Sequence, residues 1–178
     1  MSTQDIAAAL ERVTTVFSRR PEVALGAESS AHSKWTGGFR VMTAHPNGLQ
    51  VATDMAAEVG GTGDQFTPGW LFRAGMAACT TTMVLIVAAQ EGIELDELDV
   101  RTHSRNDARG MFGVPGEAGE SIDATPRDIE LHVRVRAAGV SAERLRALVQ
   151  AAFDRSPVSL AVVNGPGVAL NVDAGDAS

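Results

Sequence analysis

The chemistry open to this chain turns on one sulfur. Cys79 is the only cysteine in 178 residues and sits within Gly75-Met76-Ala77-Ala78-Cys79-Thr80. A lone cysteine excludes an intrachain disulfide and a multi-cysteine metal site. Two readings remain: a buried core thiol, which behaves as a small hydrophobe, or a nucleophile with no second thiol in its own chain. A nucleophile must be a thiolate, and an unassisted thiol of pKa about 8.5 is only a few per cent ionised at pH 7. Met76, Ala77 and Ala78 supply no charge. Arg105 and Arg109 lie in a loop long enough to bring a cation to a neighbouring site, and Thr80, Thr81 and Thr82 offer hydroxyls beside the sulfur. Each also has a plainer reading, as a solvated arginine or as a helical threonine bonded back to its own backbone.

Other chemistries find less support. His32, His45, His103 and His132 fall in separate segments without paired ligand spacing, so no metal site is expected. Ser159 lacks a Gly-x-Ser-x-Gly elbow. Gly60-Gly61-Thr62-Gly63 lacks the Lys-Ser/Thr pair of a phosphate loop and the dinucleotide pattern, and reads as a flexible hinge. No cofactor is expected. A net charge of -7 without clustered Lys and Arg argues against nucleic-acid binding. The uncharged stretch Ala74 to Ala89 is short of the roughly 20 apolar residues that span a bilayer and is broken by three threonines. We therefore expect no membrane partner. The absence of a basic-then-apolar N-terminus and the single thiol lead to the expectation of a cytoplasmic protein.

The elements that must position the sulfur follow from periodicity. Hydrophobic content of 44% with 21% charged residues is ordinary for one globular domain. Ile6, Leu10, Val13 and Phe17 predict an amphipathic helix over 3–18. Strands are expected at 39–44 and 49–55 around the Asn47-Gly48 turn. Thr67-Pro68 starts a core helix that runs to about Glu91 and closes at Gly92. A strand follows at 98–103, then a long polar loop at 106–124. The strand at 127–136 alternates Ile129, Leu131, Val133 and Val135 with polar residues, so it has one buried face. Ser141 caps a helix with an apolar stripe, Ser156-Pro157 starts a short helix, and 168–172 reads as a last strand. The fold class is α+β.

At this point the motifs carry a resemblance. Gly60-Gly61-Thr62-Gly63, Thr67-Pro68 and Leu71 through Cys79 resemble the signature around the reactive cysteine of the OsmC/Ohr family of thiol-dependent hydroperoxide reductases, and Ser156-Pro157-Val158-Ser159 resembles its second motif, normally Cys-Pro-Val-Ser. The Asp107-Ala108-Arg109-Gly110 loop fits as well. The resemblance runs from about Lys34 to Val172. It divides the chain into an N-terminal helical extension, 1–30, and an OsmC-like domain, 31–178. It implies curved antiparallel sheets around two central helices in an intertwined homodimer, with active sites at the subunit interface. A helix apolar nearly all round needs cover that one small sheet cannot give, which agrees with a second subunit.

The chemistry implied by the resemblance is attack of Cys79 on a peroxide, then disulfide formation with a second cysteine, then reduction by an external dithiol. This chain departs from that pattern. Ser156 stands at the resolving position, and a hydroxyl cannot form a disulfide. Gly69 stands where the family glutamate follows the helix-starting proline. The family arginine follows a Gly-Gly pair directly, whereas Gly37-Gly38 is followed by Phe39 and then Arg40. A one-residue shift turns a strand side chain to the other face. Arg40 and Arg109 are the candidate catalytic cations. Trp70 is expected to fill the volume that the missing glutamate and arginine would occupy. One functional reading is a one-cysteine peroxidase restored by an external thiol reductant. The other is a non-catalytic protein of the same fold that holds an apolar small molecule in an interface pocket lined by Phe66, Gly69, Trp70, Phe72, Met76 and Thr80.

Overall fold

A capping box opens the first helix of the computed structural model, which describes residues 2–175. The Asp5 N–H donates to Ser2 Oγ at 3.2 Å, and the Ser2 N–H donates to the Asp5 carboxylate at 2.8 Å. The helix, α1, spans Thr3–Arg19 and packs on the central helix. Its apolar face is covered only over the first half. Ile6 and Leu10 are half-buried, while Val13, Val16 and Phe17 remain exposed.

Three antiparallel strands follow in the order β1 (His32–Gly37), β2 (Arg40–Ala44) and β3 (Gln50–Thr53). The expected Asn47-Gly48 turn joins β2 to β3, with Gly48 at φ 92° and the Gly48 N–H donating to the His45 carbonyl at 2.9 Å. β1 was not expected from the sequence. It is exposed along nearly its whole length, so it carries no alternation to read, and its pairing with β2 is what makes it a strand.

Helix α2 (Pro68–Gln90) is the centre of the fold. The Trp70 N–H donates to Thr67 Oγ1 at 3.2 Å, Pro68 pre-sets the first helical φ, and Gly92 closes the helix at φ 66°. Its buried face, Met76, Thr80, Val84, Val87 and Ala88, packs on a second sheet and on the C-terminal helices. That sheet pairs β4 (Glu97–Arg105) with β5 (Arg127–Arg136), both alternating between half-buried and exposed positions. Helix α4 (Ala142–Phe153), capped by Ser141, inserts Leu148 and Ala152 against Val84, Val87 and Ala88. Leu148 and Val84 are fully buried, each contributing about 2 kcal/mol by transfer from water. Helix α5 (Pro157–Asn164) follows after a tight break at Asp154 and Arg155.

Two expectations need correction. The 106–124 loop is not structureless. It contains a turn of helix, α3 (Ala108–Met111), pressed against the 122–124 backbone so closely that a Cβ on Gly110 would lie 2.6 Å from the Ile122 carbonyl oxygen. The expected last strand at 168–172 has no regular secondary structure and no ladder partners among the described residues, with Val168 94% and Leu170 86% exposed. An apolar run after a turn does not by itself make a strand. The segment follows the left-handed turn at Gly165, and the second sheet holds only β4 and β5 among the described residues.

Candidate functional site

Pro157 determines what Cys79 meets. A residue before proline is held extended, and Ser156 adopts φ -78°, ψ 110° as the N-cap of α5. Its side chain turns inward, fully buried, with Oγ 3.3 Å from Cys79 Sγ and 3.1 Å from Ser159 Oγ. The two motif positions, 77 residues apart in sequence, are therefore in contact. Cys79 itself is half-buried on α2, between the covered Met76/Thr80 face and the exposed Ala78/Thr82 side. Ser156 has one hydroxyl proton for two neighbours. A negative charge on sulfur draws that proton, so the serine is placed to hydrogen-bond a thiolate or a sulfenate. Ser159, part of the second motif but not among the expected site residues, belongs to this group through its contact with Ser156. The N-cap and N3 spacing of Ser-Pro-Val-Ser was the signal for it.

Both candidate arginines are engaged by carboxylates. Arg40 Nε donates to Asp54 at 2.9 Å, and its Nη2 donates to Asp64 at 2.5 Å and to Thr62 at 2.6 Å. Thr62 also bonds Asp54 at 2.8 Å and Asp64. Asp54 is buried, and its carboxyl is held below the ordinary range first by the Thr62 hydroxyl. This group ties the Gly60 to Gly63 loop to β2, so the loop is a braced turn where the sequence suggested a free hinge. Arg109, half exposed, forks onto Asp107 at 3.0 and 2.6 Å.

The Arg109 guanidinium, then the Arg109 backbone N–H, bring the Asp107 carboxyl down from 3.8 to about 2. A carboxyl depressed by folding stabilises the native state fully above its unfolded value and loses that contribution as pH falls through the folded value. The α3 turn should therefore hold its Asp107 pairing above about pH 4 and lose it on acidification towards about pH 2. A side-chain carboxyl NMR titration of Asp107 with a midpoint near 4 would contradict this.

The six pocket residues expected from the sequence separate into two places. Phe66 and Trp70 stack at 4.1 Å near the start of α2, and with Phe72 they are partly exposed. Trp70 thus covers Phe66 rather than filling an interior vacancy. Met76 and Thr80 line a different cavity, of 380 Å³, between α2, β5, α4 and α5. Thr81 makes the expected back-bond to the Ala77 carbonyl at 2.8 Å, but Thr80 Oγ1 is buried and has no hydrogen-bond partner among the described residues. An orphaned hydroxyl costs about 1–3 kcal/mol.

Gly69 lies on the exposed first turn, where an added Cβ would meet only the Arg73 Nη1 atom, at 3.8 Å. Gly69→Glu removes a helix-weakening glycine, adds a negative charge at the helix N-terminus and creates an i,i+4 pair with Arg73. The expected gain is about 1 kcal/mol. Urea denaturation measures it, and a loss of stability would show that glycine is required there.

Residues 61–171 match the family model described as OsmC-like protein. None of the curated proteins matches the chain. Among solved structures, an organic hydroperoxide resistance protein OsmC from Legionella pneumophila is similar over 77% of this chain and 91% of its own, with 26% identity and a TM-score of 0.52. An OsmC-like protein from Mycoplasma pneumoniae reaches a TM-score of 0.63 at 14% identity, covering 78% and 89% of the two chains. An organic hydroperoxide resistance protein from Elizabethkingia anophelis has a TM-score of 0.56 at 23% identity, covering 78% and 89%. The family match spans well over half the sequence and includes both the loop before α2 and the Ser156 turn, so the chain belongs to the OsmC-like protein family.

Proposed function

We propose that the protein reduces organic hydroperoxides, with Cys79 as the only redox thiol. The observation that carries this reading is the contact of Ser156 Oγ with Cys79 Sγ at 3.3 Å in a half-buried cysteine. The similarity to the Legionella hydroperoxide resistance protein supports the substrate class. The Cys79 thiolate attacks the terminal peroxide oxygen, an S–O bond forms as the O–O bond breaks, and the alkoxide leaves to take a proton from solvent. The Ser156 hydroxyl hydrogen-bonds the charged sulfur before the step and the sulfenate after it. Because Ser156 cannot form a disulfide, an external thiol attacks the sulfenic sulfur and releases water. A second thiol then frees Cys79 and leaves as the external disulfide.

Phe72, Gly75, Ala78 and Leu85 form an exposed, uncharged face of α2 beside Cys79. A second copy of the chain covers that face in the homodimer we propose, acting in the cytoplasm. The test is multiple turnover of cumene hydroperoxide with excess dithiol. The wild type should consume many equivalents and Cys79→Ser none, and light scattering should give the mass of a dimer.

The engagement of Arg40 and Arg109 by carboxylates favours a second reading, a non-catalytic member that holds an apolar small molecule. That reading leaves the peroxide unconsumed by both proteins.

A further inference from the structure

The 380 Å³ cavity on the far side of α2 from the exposed face is built unlike a core defect. Its walls are mostly aliphatic and aromatic, with Ile129 and Leu131 from β5, Phe153 from α4 and Val162 from α5, together with the exposed Gln150, whose amide donates to Asp154 at 2.8 Å. Among the described residues no Asp, Glu, Lys, Arg or His lines it. Two hydroxyl residues stand in the same wall, Thr80 and Ser159, each 1% exposed. Ser159 is already bonded to Ser156. Thr80 Oγ1 is buried without a partner among the described residues, although the back-bond that Thr81 makes is the ordinary solution for a helical threonine.

We infer that this cavity is a binding site for a neutral, chain-like aliphatic molecule with a hydroxyl or carbonyl head, which supplies the partner that Thr80 lacks. Size, walls and charge agree. A cavity of this volume falls in the range of small-molecule sites. A single water takes about 30 Å³ and needs two to four polar partners, so one water answers the hydroxyl and leaves the apolar walls uncovered. A carboxylate or ammonium head would be buried without a counter-charge. A helical threonine has two accessible χ1 wells, so its methyl and hydroxyl can exchange places at the wall to meet the head group. The site goes beyond the peroxide reading and does not require chemistry at Cys79.

The probes are 1-octanol, octanoate and n-octane, titrated into the full chain with methyl chemical shifts of Leu131 and Val162 as the readout. Octanol is expected to shift both methyls and to bind about fivefold more tightly than octane, the worth of one hydrogen bond. Octanoate is expected to bind at least about tenfold more weakly than octanol. Thr80→Val, which keeps the shape, should remove the preference for octanol over octane while leaving octane binding intact. Cys79→Ser should keep all three affinities, which separates this test from that of the peroxidase. Absence of saturable methyl shifts with octanol would overturn the inference. So would equal binding of octanol and octane to the wild type, or a preference that survives in Thr80→Val.

Discussion

Ser156→Cys is expected to convert this protein into a two-cysteine peroxidase. The serine oxygen already lies 3.3 Å from Cys79 Sγ, and the side chain is fully buried at a helix start fixed by Pro157. A cysteine there is close in size and directed at the same atom. After one equivalent of cumene hydroperoxide, the variant should lose both thiols and about 2 Da as the sulfenic acid on Cys79 condenses with the introduced thiol to a disulfide. Turnover with a dithiol should rise at least about tenfold over the wild type, because an intramolecular thiol resolves the sulfenic acid at high effective concentration. The oxidised form closes a loop of 77 residues and should gain about 4 kcal/mol against unfolding. Intact mass, steady-state peroxide consumption, and urea denaturation under oxidising and reducing conditions measure these three effects. A variant that keeps one free thiol after peroxide would show that the two positions do not meet in solution.

Gly61→Ala is expected to cost about 3 kcal/mol, and with it roughly 6–12 °C of melting temperature. A Cβ at Gly61 would lie 1.9 Å from the Met55 carbonyl oxygen and 2.9 Å from Asp54 Oδ1. The obstruction is backbone, so a side-chain rotation cannot relieve it. The loop must move, and that movement pulls Thr62 away from Arg40 and Asp54. Gly60→Ala differs in kind, since Gly60 sits at φ 91° with Phe39 as its nearest neighbour, at 3.6 Å. Its cost comes from backbone strain rather than collision. Thermal melts of Gly61→Ala check the size of the effect, and a loss below about 1 kcal/mol would show that the loop yields without disturbing the Arg40 group.

The central elements were legible because their signals are local. Thr67-Pro68 announces α2, Asn47-Gly48 announces a hairpin, and the Ile129 to Val135 alternation announces β5. The meeting of Cys79 with position 156 was legible only through two motifs read together. β1 was not, because an exposed strand has no burial pattern and exists through its partner. The error at 168–172 is the converse, a strand pattern without a partner strand. Arg40 could not be assigned from sequence either. Its partners Asp54 and Asp64 lie 14 and 24 residues away, and only the fold brings them to one guanidinium. The Phe66–Trp70 stack was readable as an i,i+4 pair across a helix start. The orphaned Thr80 hydroxyl was not, since it depends on which rotamer the packed helix adopts.

A hydroperoxide reductase with one thiol requires that an organic hydroperoxide oxidise Cys79. The most direct measurement is the mass of the protein after one equivalent of cumene hydroperoxide, with a sulfenic-acid probe such as dimedone present and thiol reductant removed. We expect the untrapped protein to gain ~16 Da, the probe adduct to map to Cys79, and an equivalent of alcohol to appear. An unmodified Cys79 with the peroxide intact would contradict peroxide reduction by this protein and leave the non-catalytic reading in its place.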